Sequence, residues 1–132
     1  MTVKKILIVD DSPTDRQYLK EILSRLGYQC VMAANGDEGI EMARSESPDL
    51  ILMDVVMPGT NGFQATRTIT RDASTRHIPV FMCSTKSQET DRIWGMRQGA
   101  TDYLLKPIDA AALVARIKAM GDRKSTRLNS SH

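Results

Sequence analysis

The sequence is poor in the residues that build most metal centres and acyl-transfer sites: its 132 positions hold two cysteines and two histidines. Cys30 and Cys83 stand far apart, each inside an apolar segment. They read as a reduced, buried pair, not as a disulfide framework. His77 precedes the fourth apolar run and His132 lies in the C-terminal tail, so no base with a partner stands ready for acyl chemistry. The phosphate-loop pattern GxxxxGK[ST] does not occur, which removes the usual nucleotide cradle. No apolar stretch approaches the roughly 20 residues that span a bilayer. The opening MTVKKILIVDD runs from a lysine pair into acid without a signal-peptide cleavage site, so the default expectation is a cytoplasmic protein without a membrane partner. Repeats, low-complexity segments and internal linkers are also missing. What remains fits one compact domain of ordinary composition, 41% hydrophobic and 26% charged, with length enough for a proper core.

The net charge of +2 and the pI near 8.6 invite a nucleic-acid reading, but the tail distorts both. Residues 122 to 132, DRKSTRLNSSH, share no character with the rest of the chain and hold one large apolar residue, Leu128. The string reads word for word as the translation of a common sequencing adapter. The expectation is a folded domain over residues 1–121 and a disordered, non-native tail over 122–132. Without Asp122, Arg123, Lys124 and Arg127, 15 basic residues face 15 acidic ones. The basic excess then says nothing about partners, and no nucleic-acid surface is expected in this domain.

Short apolar runs alternate with longer amphipathic segments five times over. The runs are Ile6-Val9, Cys30-Ala33, Leu50-Met53, Val80-Cys83 and Tyr103-Leu105. Most lack in-out alternation, as expected of parallel strands covered on both faces. Helix-length segments lie between and after them, at roughly 13–26, 36–46, 62–71, 87–98 and 109–120. Tyr18, Ile22 and Leu26 form a helical stripe in the first. Ser12-Pro13 supplies its N-cap and first-turn proline, and Gly27 closes it. The pattern predicts (βα)5, a doubly wound α/β fold around a five-stranded parallel sheet.

In such sheets, functional groups collect beyond the carboxyl ends of the strands. Strand one ends in Asp10-Asp11, strand three in Asp54, strand four in Ser84-Thr85 and strand five in Lys106-Pro107. Each residue alone has a bland explanation: a cap for Asp11 or Ser12, a turn for Asp54, a solvated charge for Lys106. The set does not. Two carboxylates about 5 Å apart repel by roughly 3 kcal/mol at an effective dielectric near 20, and three cost several times that. A cap returns only about 1 kcal/mol. An oxygen-rich acidic pocket without His or Cys suits a hard divalent cation, above all Mg2+. A carboxylate nucleophile attacking a phosphoryl group, with metal and lysine neutralising its oxygens, fits best.

The segments ILIVDDS, DLILMDVVMPGTNGF, IPVFMCST and DYLLKP resemble the four signature blocks of response-regulator receiver domains. The resemblance covers residues 3 to 120. It implies the CheY-like, flavodoxin-like fold with strand order 2-1-3-4-5. It further implies that Asp54 accepts a phosphoryl group from a histidine kinase, CheA-like or acting through a phosphotransfer domain. Asp10, Asp11 and Asp54, with the backbone carbonyl of Val56, would hold Mg2+. Lys106 would pair with the acids at rest and with the phosphoryl group afterwards, its bond to Pro107 being cis. Ser84 matches the switch hydroxyl and Tyr103 the aromatic that turns inward with it, reshaping the face of helix four, strand five and helix five. Thr85 stands where the family usually has a small residue, often alanine, and so is a second candidate hydroxyl. Val56 and Lys86 match positions that tune phosphoryl lifetime. Such a domain is a signalling phosphoacceptor, not an enzyme, and assists only its own phosphorylation and dephosphorylation.

STKSQETDRIWGMRQGATDYLLKP, together with MDVVMPGTNGFQATR, is similar to the single-domain regulators of type IV pilus twitching motility, the PilH type. Trp94 reads as filler at the core's edge or, more sharply, as an aromatic anchor on a partner-facing helix. The eight methionines read as core packing. Two other readings stand beside this one. The chain could be the receiver half of a DNA-binding regulator whose output domain is missing here. It could also be a metal-dependent phosphoesterase, although such enzymes carry their nucleophile on the first strand in a DxD pattern.

Overall fold

The computed structural model describes the backbone of residues 2–130 and the side chains of residues 2–120. Strands and helices alternate as β1 (Lys5–Val9), α1 (Pro13–Arg25), β2 (Gln29–Ala33), α2 (Gly36–Glu46), β3 (Leu50–Asp54), α3 (Gly62–Arg71), β4 (Val80–Ser84), α4 (Glu89–Arg97), β5 (Asp102–Leu105) and α5 (Ala110–Ser130). Among the described residues the sheet has five strands, all parallel, in the order β2-β1-β3-β4-β5. That is the predicted architecture.

The pleat divides the core in two. Leu7, Val9, Ile51, Met53, Val80 and Met82 face α2 and α3, meeting Ala43, Ala65 and Ile69. Ile6, Ile8, Leu50, Leu52, Phe81 and Cys83 face α1 and α5, meeting Leu19, Leu23, Leu113 and Ile117. Every residue of β3 and β4 is buried, which is why these strands read as continuous apolar runs instead of alternating ones.

Three expectations shift. The core-facing residues of α1 are Leu19 and Leu23, one position beyond Tyr18 and Ile22, while Tyr18 and Leu26 are exposed. The two stripes share the same spacing. Tyr18 is drawn to the sheet's edge, where its hydroxyl donates to the Ile108 carbonyl at 3.0 Å. Of the two free thiols among the described residues, Cys83 is buried but Cys30, on the outer strand β2, is only partly so. Finally, α5 continues as helical backbone to Ser130, past the expected end near Met120-Gly121. No proline or glycine interrupts residues 122–130, and arginine, lysine and leucine there favour helix. Residues 131 and 132 of that tail lie outside the described residues.

Candidate functional site

Strand pairing carries the chemistry to one edge. Asp54 is the last residue of β3 and pairs with Cys83, while Ser84 ends β4 and pairs with Leu105. Asp10 follows β1 directly and is fixed by its own backbone, whose N–H donates to the Ala33 carbonyl at 3.1 Å. Both oxygens of its carboxylate are engaged: Oδ1 accepts the Ser12 N–H at 2.9 Å and Oδ2 the Lys106 ammonium at 2.8 Å. Ser12 caps α1 by accepting the Asp15 N–H at 3.3 Å. Chain turn, cap and acidic doublet are therefore one local structure.

The loop after β3 is shaped by close approach. A Cβ on Gly62 would sit 2.0 Å from the Asp54 carbonyl oxygen, so only glycine lets α3 begin this near the strand end. An Asn61–Gln64 capping box anchors that start, with bonds of 2.9 and 3.0 Å. Asp54 thereby stands on a rigid strand between two capped helices.

One carboxylate oxygen from each of Asp10, Asp11 and Asp54 lies within 4.8 Å of the others. Asp10 and Asp54 are buried and Asp11 is exposed. The donor set is all oxygen and opens to solvent through Asp11. It fits a hard, partly hydrated divalent cation and offers nothing to a thiolate-seeking one. Burial, reinforced by the neighbouring Asp10 charge and opposed by Lys106, pushes the Asp54 carboxyl up to about 6. A carboxyl held so far above its ordinary range is one the fold keeps under electrostatic load.

Lys106 relieves part of that load. Its ammonium lies 2.8 Å from Asp10, 3.0 Å from Asp15 and 3.2 Å from Asp54. Burial alone would lower its pKa, but the hydrogen bonds to Asp10 and Asp15 and the Asp54 charge outweigh it and raise it. The Lys106-Pro107 peptide is cis.

Sequence reasoning missed two residues here. Asp15 is a third carboxylate on Lys106, and Arg16 donates to the Asp10 carbonyl at 2.6 Å. Both lie in the first turn of α1, one helical turn past the doublet, so a helical reading of that turn alone could have placed them at the strand edge.

The other expected residues fall into place on the far side of the site. Ser84 is buried, and its hydroxyl accepts the Lys86 N–H at 3.0 Å. Thr85 is exposed on the wall of a cavity of about 300 Å3 that Asp15, Tyr18, Lys106 and Pro107 also line. Val56, just beyond Asp54, is exposed. Tyr103 is already inward and buried, with its hydroxyl donating to the Lys86 carbonyl at 3.0 Å. The expectation tied that inward turn to Ser84 vacating its place, yet here Ser84 still holds the Lys86 N–H. Gly95 is the reason there is room: a Cβ there would lie 3.2 Å from the Tyr103 ring and 2.9 Å from the Met82 sulfur. Trp94 is no core filler; 49% of its surface is exposed, beside exposed Ile93 and Met96. Met53, Met57, Met82 and Met120 are buried, as core packing requires. Burial pushes the Cys83 thiol up to about 12, so this neighbour of the site is inert as a nucleophile.

The family profile described as response regulator receiver domain matches residues 6–118. The chain is 55% identical over 116 residues to Protein PilH of Pseudomonas aeruginosa, covering 88% of this chain and 96% of that protein. The chemotaxis protein CheY4 of Vibrio cholerae superposes with a TM-score of 0.83 at 30% identity, covering 89% of this chain and 98% of its own. The receiver domain of the sensor histidine kinase PA1611 from Pseudomonas aeruginosa superposes at 0.82 and 30% identity, covering 89% of this chain and 97% of its own. That structure has a magnesium ion coordinated in its active-site cleft.

Proposed function

This chain belongs to the response regulator receiver domain family, and from that premise we propose that Asp54 is its phosphoacceptor. The observation that carries the reading is the meeting, at one sheet edge, of Asp10, Asp11 and Asp54 within 4.8 Å of one another with Lys106 3.2 Å from Asp54. An Asp54 oxygen attacks the phosphorus of a phosphohistidine. As the O–P bond forms, the N–P bond breaks and its electron pair returns to the imidazole, which then takes up a proton. Asp10, Asp11, Asp54 and the Val56 carbonyl would hold Mg2+, whose chemistry is to neutralise charge on the transferring phosphoryl oxygens. Lys106 provides the fixed positive charge on the other side. On this reading the domain serves as a phosphoacceptor in signalling.

The phosphoryl group adds about −1.5 to −2 charges and three acceptor oxygens. Ser84, which now accepts the Lys86 N–H at 3.0 Å, turns its hydroxyl toward them instead. Lys86 then loses its N–H anchor while its carbonyl still accepts the Tyr103 hydroxyl, so Tyr103 and α4 can shift with it. Two-component signalling makes the donor a histidine kinase; the likeness to PilH supports a CheA-like one, acting directly or through a phosphotransfer domain, and a role in type IV pilus twitching motility. The same likeness runs along 96% of PilH. Among the described residues no helix is long and apolar enough to cross a membrane.

The test is acetyl phosphate or beryllofluoride titration, with and without Mg2+, on the wild type and Asp54→Asn. Mg2+-dependent modification is expected in the wild type and none in the variant. Modification that persists in Asp54→Asn would remove the assignment.

A further inference from the structure

We propose that Asp15 is a positioning residue that holds Lys106 back from the phosphoryl site and is exchanged for the phosphoryl group when it arrives. The inference rests on the phosphoacceptor reading of Asp54. An ammonium has three N–H donors. Here it faces three carboxylates, at 2.8 Å from Asp10, 3.0 Å from Asp15 and 3.2 Å from Asp54. The longest contact is to the reactive carboxylate.

Asp15 differs from the other two partners in kind. Asp10 and Asp54 belong to the group of strand-end acids whose oxygens converge. Asp15 is not one of that group. It comes from α1 and lines the neighbouring cavity together with Tyr18, Leu19, Pro107 and Ile108. Its pull on the ammonium therefore acts from outside the acidic cradle.

Asp15 is also the partner most easily given up. Its side chain is 45% exposed, against 3% for Asp10 and 8% for Asp54 in their pairs with Lys106. Water can replace Lys106 around Asp15 at little cost, whereas the buried carboxylates have no such substitute. A new anion on Asp54 needs donors at the moment it forms. The Lys106–Asp15 contact is the one that can yield them. Asp15 thus sets how strongly the resting site discriminates against a phosphoryl group.

A simpler role for Asp15 exists, since an acid in the first turn of a helix also complements the helix dipole. That role affects the stability of α1 and leaves the ligand affinities of the site in step with one another. The exchange role moves them in opposite directions.

Beryllofluoride binding at saturating Mg2+, and Mg2+ binding alone, are measured by calorimetry on the wild type, Asp15→Asn and Asp15→Glu. In Asp15→Asn the freed ammonium meets the phosphoryl mimic, so beryllofluoride is expected to bind about fivefold tighter, the scale of one partly exposed ion pair. The same ammonium closes on the acids when no anion is present, so Mg2+ is expected to bind about threefold weaker. Asp15→Glu restores both constants toward wild type. Beryllofluoride binding in Asp15→Asn that is unchanged or weaker, with a wild type that binds it, overturns the exchange role alone. A wild type that binds none overturns the phosphoacceptor reading and this inference together.

Discussion

Helix α1 meets the sheet through Leu19 and Leu23, both buried, and starts from a serine whose side chain caps it. Helix α4 meets the sheet through Gly95 alone among its residues, and no side chain caps its start at Gln88. The two helices flank the same acidic edge. One is fastened by about 1.5–3 kcal/mol per buried leucine; the other presents a glycine to the core and turns Ile93, Trp94 and Met96 outward. The difference divides the labour of the domain. The fastened side holds Asp10 and Asp15, the two acids nearest the Lys106 ammonium. The loosely held side follows the loop in which the Ser84 hydroxyl accepts the Lys86 N–H. A region with few buried apolar contacts opens at low free energy, and in the proposed switch that region is the one that responds.

The largest expected effect tests the fastening itself. Leu23→Ala, at a fully buried position, is expected to cost about 2–5 kcal/mol in chemical denaturation. Trp94→Ala, at a position 49% exposed, is expected to cost less than about 1 kcal/mol although it removes a larger side chain. Comparable losses would mean that α4 is held as firmly as α1, and the division of labour would fail.

A smaller effect asks whether charge as well as packing shapes the shared edge. The folded state raises the Asp54 carboxyl from 3.8 to about 6, chiefly by burial and then by Asp10. The folded protein therefore binds this proton more tightly than the unfolded chain. The stability that the proton confers is fully present below about pH 4 and is lost as the pH rises through about 6. At neutral pH the ionised Asp54 is a net burden. In Mg2+-free buffer Asp54→Asn is expected to raise stability by about 1–3 kcal/mol at pH 7, and by progressively less as the pH falls toward 4. Urea denaturation at several pH values measures this. A variant less stable than wild type at pH 7 would show that the Lys106–Asp54 ion pair outweighs the burial of the charge.

The same contrast explains what could be read from the sequence. Apolar runs ending in acid fixed the strands, because a parallel sheet buried on both faces leaves polar residues only at its ends. Asp54 and Ser84 then had to stand at the ends of neighbouring strands. The α1 stripe was displaced by one position, since Tyr18 and Leu19 both recur at helical spacing and only the hydrogen bond from Tyr18 to Ile108 decides between them. Asp15 was hidden because a first-turn acid already has a sufficient local explanation; its bond to Lys106 spans 91 positions, a distance no local pattern encodes. Trp94 looked like filler because apolar residues around it recur at helical spacing. The surrounding spacing does not say which side faces the sheet when the only buried residue on the helix is a glycine.

The smallest effect separates packing from capping as the cause of the difference between α1 and α4. Gln88 already has the extended backbone of an N-cap, φ −73 and ψ 145, without a side-chain bond to the helix. Serine there can accept from the first turn without adding charge beside Glu89 and Asp91, so Gln88→Ser is expected to stabilise by about 0.5–1 kcal/mol. Ser12→Ala, which removes the existing cap on α1, is expected to cost about 1 kcal/mol. Amide hydrogen exchange reads both changes helix by helix. Two buried leucines against one glycine amount to several kcal/mol, more than any cap supplies. Even with both substitutions combined, α4 should still exchange faster than α1. If Gln88→Ser alone brings α4 level with α1, the loose helix owes its freedom to a missing cap and not to the way it packs.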